Sequence, residues 1–265
     1  MSKKVAIVTG GTSGIGRATA LALQESGYTV YELSRRAEGM PDIRHIVADI
    51  TKEETLQAAV EQVLAAEGRL DLVVNNAGFG ISGAIEFTDT QEAQRLFDTL
   101  FFGMVRMNRC VIPLMRQQGH GRIVNISSVA APVPIPFQAY YSAGKAAINA
   151  YTMALANELR PFGVTVCAVM PGDIKTGFTA ARHKIIDGDD IYQGRIGHSV
   201  QRMEHDEQTG MDPAKVGRYI AAVASREGSH HPLYATRIDY KFFVFLTKVL
   251  PARFLNWLIY QLYGK

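Results

Sequence analysis

Tyr141 and Lys145 stand four positions apart in the stretch AYYSAGKAA, residues 139–147. On a helix that spacing stacks two side chains on one face, one turn apart. A phenol beside an ammonium group can exchange a proton with an oxygen atom. Free tyrosine has a pKa of about 10, and a neighbouring positive charge favours the phenolate and lowers that value. The adjacent Tyr140 pairs instead with Gly144, which offers no side chain. Helix geometry therefore selects Tyr141. Taken alone, the two tyrosines read more readily as half-buried aromatics at the start of a helix, so the rest of the chain has to decide.

The elements around them alternate. Runs at 5–10, 29–34, 43–49, 70–78, 121–128 and 164–172 read as strands, and 14–26, 90–118 and 139–160 as helices. Thr51 and Glu54 form a capping box that opens a further helix. A short strand at 233–236 completes the sheet. Such alternation predicts an α/β fold, a doubly wound parallel sheet with helices on both faces. Ligands of open α/β sheets bind beyond the carboxyl ends of the strands. TGG after the first strand, NNAG after the fourth, SS after the fifth and PG after the sixth all fall at that edge.

Composition narrows the class. The 265 residues suffice for a single domain spanning 1–265 with a sizeable core. A hydrophobic content of 47% with 20% charged residues is that of a soluble globular protein, and a net charge of +3 is too small to point to nucleic acid. Cys110 and Cys167 lie in apolar runs without CxxC spacing, which fits a reducing compartment and a cytoplasmic location. The N-terminal apolar run is short and reads as a strand rather than a leader, and no stretch is apolar enough to span a bilayer. The seven histidines show no ligand spacing; His230 and His231 read as surface residues, and no metal is implied.

The turn T9-G-G-T-S-G-I-G16 has the makings of a phosphate cradle. Glycines between a strand and a helix allow a tight turn and close backbone approach, and the helix start offers free N–H groups to an anion. Gly10, Gly14 and Gly16 are spaced G-x-x-x-G-x-G, with Thr12, Ser13 and Ile15 between them. Position after the first strand makes this a dinucleotide site. At the tip of the second strand an acidic residue would take a ribose hydroxyl, whereas arginine accommodates a 2′-phosphate. The chain has Ser34, Arg35 and Arg36 there, with Glu32 further back in the strand. NADP(H) is therefore favoured over NAD(H).

Together these motifs resemble the short-chain dehydrogenase/reductase family. TGGTSGIG (9–16), NNAG (75–78), Ser128, YSAGK (141–145) and PGDIKT (171–176) occur in the family's order and at similar spacing. The resemblance implies a Rossmann-type domain and reversible hydride transfer between NAD(P) and an alcohol or ketone. It implies Tyr141 as general acid/base and Lys145 as the residue that lowers the tyrosine pKa and holds the nicotinamide ribose. Ser128 matches the hydroxyl that polarises the substrate carbonyl, with Ser127 the weaker candidate. Asp49, followed by Ile50, resembles the acidic position near the adenine. Asn76, Ala77 and Gly78 match the cofactor floor, and Pro171, Gly172, Ile174 and Thr176 the wall around the nicotinamide amide. A homodimer or homotetramer is also implied.

One position departs from the pattern. In F97-D-T-L-F-F-G103, Leu100 fills the place of an asparagine that the family links to a water-mediated proton path toward the lysine. Either a backbone carbonyl still holds the water or turnover is slowed, and Asn108, two turns on, is badly placed to substitute. Retained activity is expected because Ser128, Tyr141 and Lys145 all survive; the alternative is a weakly active or inactive dinucleotide-binding regulator. The segment 173–210 is expected to form a loop region choosing the substrate. The apolar tail 238–265, broken by Pro251, is expected to form two helices. They would pack on the core or a partner subunit, act as a lid, or make a peripheral membrane contact. Such a tail bears a looser resemblance to the 17β-hydroxysteroid dehydrogenase-like branch, implying a hydrophobic ketone or secondary alcohol, steroid-like or lipid, as substrate.

Overall fold

Successive residues of a strand point to opposite faces of a sheet, and the first strand shows how this chain uses that. Val5 and Ile7 belong to one buried apolar cluster, Ala6 and Val8 to another. Every central strand here is therefore buried on both sides and reads as a continuous apolar run rather than an alternating one. The computed structural model describes residues 3–228 and 231–265; His230 lies outside them.

The elements follow in order as β1 (Val5–Thr9), α1 (Gly14–Glu25), β2 (Thr29–Ser34), β3 (Arg44–Val47), α2 (Glu53–Glu67), β4 (Leu72–Asn75), β5 (Ile81–Ser82), α3 (Thr90–Phe97), α4 (Gly103–Gln118), β6 (Gly121–Ile126), α5 (Ala139–Leu159), β7 (Val164–Met170), α6 (Phe178–Ala181), β8 (His183–Lys184), α7 (Arg195–Gln208), α8 (Pro213–Ser225), β9 (Leu233–Ala235), α9 (Ile238–Val249) and α10 (Ala252–Tyr263). Seven strands form one parallel sheet in the order β3-β2-β1-β4-β6-β7-β9. The order reverses at β1 and β4, the switch point where a crevice opens. Helices α2, α4 and α5 cover one face through residues such as Leu56, Met107 and Leu155. Helices α1 and α8 cover the other through Leu23, Val216 and Ile220.

Three local expectations change. The helix read over 90–118 is interrupted by a π-turn at Asp98–Phe102, which separates α3 from α4 and carries Leu100. The Thr51–Glu54 capping box does not form. Lys52 is the N-cap of α2 and makes no side-chain cap bond, because the Thr51 hydroxyl turns back to Asp49 Oδ1 at 2.8 Å. A short hydroxyl side chain that finds a nearer acceptor no longer serves the helix. The 173–210 segment is more ordered than a loop: it contains α7 and the strand β8, which pairs in parallel with β5 through Ile81↔His183. That small second sheet ties the segment to the loop leaving β4.

Candidate active site

A cleft of about 890 Å³ opens at the carboxyl edge of the sheet. Its cofactor-side wall starts at the glycine turn. Gly10 has φ +66° and Gly14 φ +52°, conformations that L side chains rarely adopt, and a Cβ on Gly10 would lie 3.0 Å from Ala77 Cα. Ser13 is the N-cap of α1 and makes no side-chain cap bond, so the first N–H groups of the helix are left to face a ligand. Gly16 does not line the cleft. A Cβ there would collide with the Gly10 carbonyl oxygen and Asn76 Nδ2, so this glycine lets helix, turn and floor close on one another.

The floor is tied to the turn by hydrogen bonds. Asn76 N–H and Ala77 N–H donate to Thr9 Oγ1 at 3.0 and 3.1 Å, and Asn76 Nδ2 donates to the Thr9 carbonyl at 3.1 Å. Asn75 turns the other way, donating to Asn108 Oδ1 at 2.8 Å and Asn125 Oδ1 at 2.9 Å, while Asn125 donates to Thr152 at 2.9 Å. This buried polar network rivets β4, β6, α4 and α5 beneath the site. It also engages the Asn108 side-chain oxygen.

At the tip of β2, Ser34, Arg35 and Arg36 all line the cleft. The Ser34 hydroxyl is buried with no hydrogen-bond partner among the described residues. Glu32 is withdrawn: its carboxylate is buried, bonded to His45, and lies behind Gly11. Asp49 and Ile50 line the next stretch. Burial works against the Asp49 charge, but the Thr51 N–H and hydroxyl bonds, with Arg35 nearby, hold its carboxyl below the ordinary value. Open helix N–H groups, a glycine turn and two arginines fit the phosphates of a nicotinamide dinucleotide.

Ser128, Tyr141 and Lys145 meet on the same cleft. Lys145 is buried, with Nζ 5.5 Å from the Tyr141 ring centroid. Its Nζ donates to the Ile126 carbonyl at 2.7 Å. Ser128 presents its side chain at the cleft, whereas the buried Ser127 hydroxyl donates to the Lys145 carbonyl at 3.0 Å and holds the helix in place. Tyr140 packs against the apolar cluster of Ile81, Leu96, Leu100 and Ile185.

The electrostatics differ from the sequence expectation of a lowered tyrosine pKa. Burial pushes the Tyr141 phenol up to about 12, with a hydrogen bond from Ser128 pulling the other way. Burial pushes Lys145 down to about 7. Burial thus keeps the Tyr141 hydroxyl protonated at neutral pH.

Beyond the trio Phe79, Leu100, Ile135 and Phe178 form apolar parts of the wall, with Arg95, Gln138 and His183 at the same cleft. Leu100 is buried against Gly78, where a Cβ would collide with it. The Phe178 ring lies 5.7 Å from the Tyr141 ring. Pro171, Gly172, Ile174 and Thr176 also line the cleft. Sequence reading missed three features there. Glu207 of α7 lines the cleft and is held by buried Arg182 and by Thr179 Oγ1 at 2.6 Å. Asp173 accepts a hydrogen bond from the Tyr240 hydroxyl at 3.1 Å, and the Tyr240 ring sits where a Gly172 Cβ would be. Tyr263 donates to Asp206 at 3.0 Å. Both tail helices are thus fastened to the wall of the site. Nothing in the local sequence signals these pairings, because the partners lie far apart in the chain.

Comparison with known proteins agrees with this geometry. The profile of the short chain dehydrogenase family matches residues 4–185. A 3-ketodihydrosphingosine reductase of Bacteroides thetaiotaomicron is 37% identical over 261 residues, 97% of this chain and 94% of that protein. The crystal structure of a short-chain dehydrogenase from Streptomyces avermitilis superposes with a TM-score of 0.83 at 34% identity, covering 92% of this chain and 91% of the other. A 3-ketoacyl-(acyl-carrier-protein) reductase from Brucella melitensis, solved with NADH, superposes with a TM-score of 0.74 at 28% identity over 88% of this chain and 96% of the other. The chain belongs to the short-chain dehydrogenase/reductase family of oxidoreductases.

Proposed function

We propose that this protein reduces the ketone of a long, apolar substrate to a secondary alcohol, with NADPH as the reductant. The observation that carries this reading is the meeting of Ser128, Tyr141 and Lys145 at a cleft that runs from an anion-binding turn into apolar walls. The dinucleotide, when bound, supplies the hydride. Gly10 to Ile15 and Asn76 to Gly78 would hold its phosphates and sugars, and Pro171 to Ile174 with Thr176 its nicotinamide end. Ser34, Arg35 and Arg36 favour a 2′-phosphate over a bare ribose, while Glu32 is occupied by His45.

The protein's part is proton chemistry. The Tyr141 hydroxyl, kept protonated by its raised pKa, gives its proton to the carbonyl oxygen as negative charge develops there. The Ser128 hydroxyl donates to the same oxygen and polarises the carbonyl. Lys145, with a pKa near 7, is poised to pass a proton toward Tyr141. The raised phenol suits reduction better than oxidation, which needs the phenolate as base.

The 37% identical reductase makes 3-ketodihydrosphingosine the first substrate to test, with a steroid ketone as the second. The segment 173–210 supplies the substrate wall and the tail 238–265 backs it, within a single domain. The free thiols Cys110 and Cys167 fit a cytoplasmic location, and family membership supports a homodimer or homotetramer. The test is cofactor consumption with each ketone and with NADPH or NADH. Fast oxidation of NADPH with the long-chain ketone is expected; equal rates with NADH would remove the cofactor assignment, and no rate with any ketone would remove the reaction.

A further inference from the structure

We infer that helices α9 and α10 form a docking surface for an anionic lipid bilayer, seated on the wall of the active site. Ile238, Phe242, Phe245 and Val249 recur at spacings of four, three and four along α9, which places them on one helical face. All four are exposed, Ile238 at 82% and Phe242 at 59%. On α10, Phe254 and Trp257 stack at 5.8 Å and are also exposed. A large exposed apolar patch rimmed by polar groups marks an interaction surface.

Charge identifies the occupant. Residues 238–265 hold four basic residues, Lys241, Lys248, Arg253 and Lys265, against one acidic residue, Asp239. The chain has 28 basic and 25 acidic residues, so the remainder has 24 of each. The whole net charge of +3 therefore resides in the tail. All four basic side chains are exposed, and helical spacing sets Lys241 and Lys248 along one edge of the apolar face of α9. A second copy of this surface would bring like charges together, whereas an anionic bilayer accepts both the aromatic face and the basic rim. Each helix has 12 residues, about 18 Å long, short of the roughly 30 Å hydrocarbon core, so the contact lies along the surface.

The position is as informative as the chemistry. Tyr240, on the inner side of α9, rests on Gly172 and bonds Asp173, while Tyr263 fastens α10 to α7, the helix that brings Glu207 to the cleft. Docking would therefore bring the cleft wall to the lipid surface. The inference goes beyond the reductase reading and is separable from it, because its test reads binding rather than turnover.

The test is flotation of the full chain with vesicles of phosphatidylcholine alone or of equimolar phosphatidylcholine and phosphatidylglycerol, with sedimentation velocity run alongside. Binding to the anionic vesicles should exceed that to the neutral ones by about tenfold or more. Lys241→Glu with Lys248→Glu should abolish the difference. Phe242→Ser with Phe245→Ser should abolish binding to both vesicles while leaving the far-ultraviolet circular dichroism and the oligomeric state unchanged. No flotation, or binding indifferent to vesicle charge, would overturn the proposal. So would a change of oligomeric state in the Phe242, Phe245 variant, because a second copy would then cover the face.

Discussion

The cofactor half of the cleft and the substrate half are built by different means. From β1 to Gly78 the wall closes on backbone: Gly10 against Ala77, Gly16 against the Gly10 carbonyl, and the Thr9 hydroxyl clamping two backbone N–H groups of the floor. From Gly172 onward side chains make the closures: Tyr240 on the Gly172 backbone, Arg182 on Glu207, Tyr263 on Asp206. Backbone contacts have few solutions and leave a glycine signature. Side-chain contacts between distant segments have many solutions and leave none. The first half can hold one invariant kind of ligand, and the second can be remodelled for different substrates without disturbing the first.

Several changes would break or sharpen that contrast. The largest effect is expected at the junction of the two halves. Tyr141→Phe should lower kcat by about 10²–10⁴-fold while dinucleotide affinity, measured by calorimetry, stays nearly constant. Gly16→Ala places a methyl group against backbone that cannot yield cheaply, and should cost about 1–3 kcal/mol in denaturant unfolding as well as weakening cofactor binding. Arg35→Ala should raise KM for NADPH about tenfold and leave that for NADH nearly unchanged; equal losses would contradict the 2′-phosphate assignment. Gly172→Ala displaces only the Tyr240 ring, which can move with α9, so its cost should stay near 1 kcal/mol or less. If Gly172→Ala costs as much as Gly16→Ala, the two halves are equally rigid and the contrast fails.

The buried lysine gives a pH signature with a definite sign. Lys145 falls from 10.5 to about 7 in the folded chain. Between those values the unfolded state binds a proton that the native state does not, so this group makes stability rise as pH increases from about 7 to about 10.5. Below pH 7 the lysine is protonated in both states and the contribution to the slope vanishes. Melting temperature against pH should therefore rise less steeply for Lys145→Met than for the parent chain.

How much of this was legible in the sequence follows the same division. The strands, the parallel sheet, the glycine turn and the placement of Tyr141 rather than Tyr140 on the cleft were readable because period, turn chemistry and helical spacing are local. The π-turn at Asp98–Phe102 was not, because a single extra residue per turn leaves the apolar pattern nearly intact. The Thr51 cap failed because Asp49 competed for the hydroxyl. The direction of the Tyr141 shift was not readable because spacing shows that a lysine is near but not that burial acts on both groups, raising the phenol and lowering the ammonium. Leu100 reads differently in three dimensions: it is a packing residue of the apolar wall. Leu100→Asn should then cost about 2 kcal/mol of stability without raising kcat; a marked gain in turnover would restore the damaged-relay reading.

The central claim is that Ser128, Tyr141 and Lys145 reduce a long-chain ketone with NADPH. The most direct measurement is the amount of secondary alcohol formed from 3-ketodihydrosphingosine per NADPH consumed. One alcohol per NADPH is predicted. NADPH binding without alcohol, or consumption that leaves the ketone intact, would contradict it.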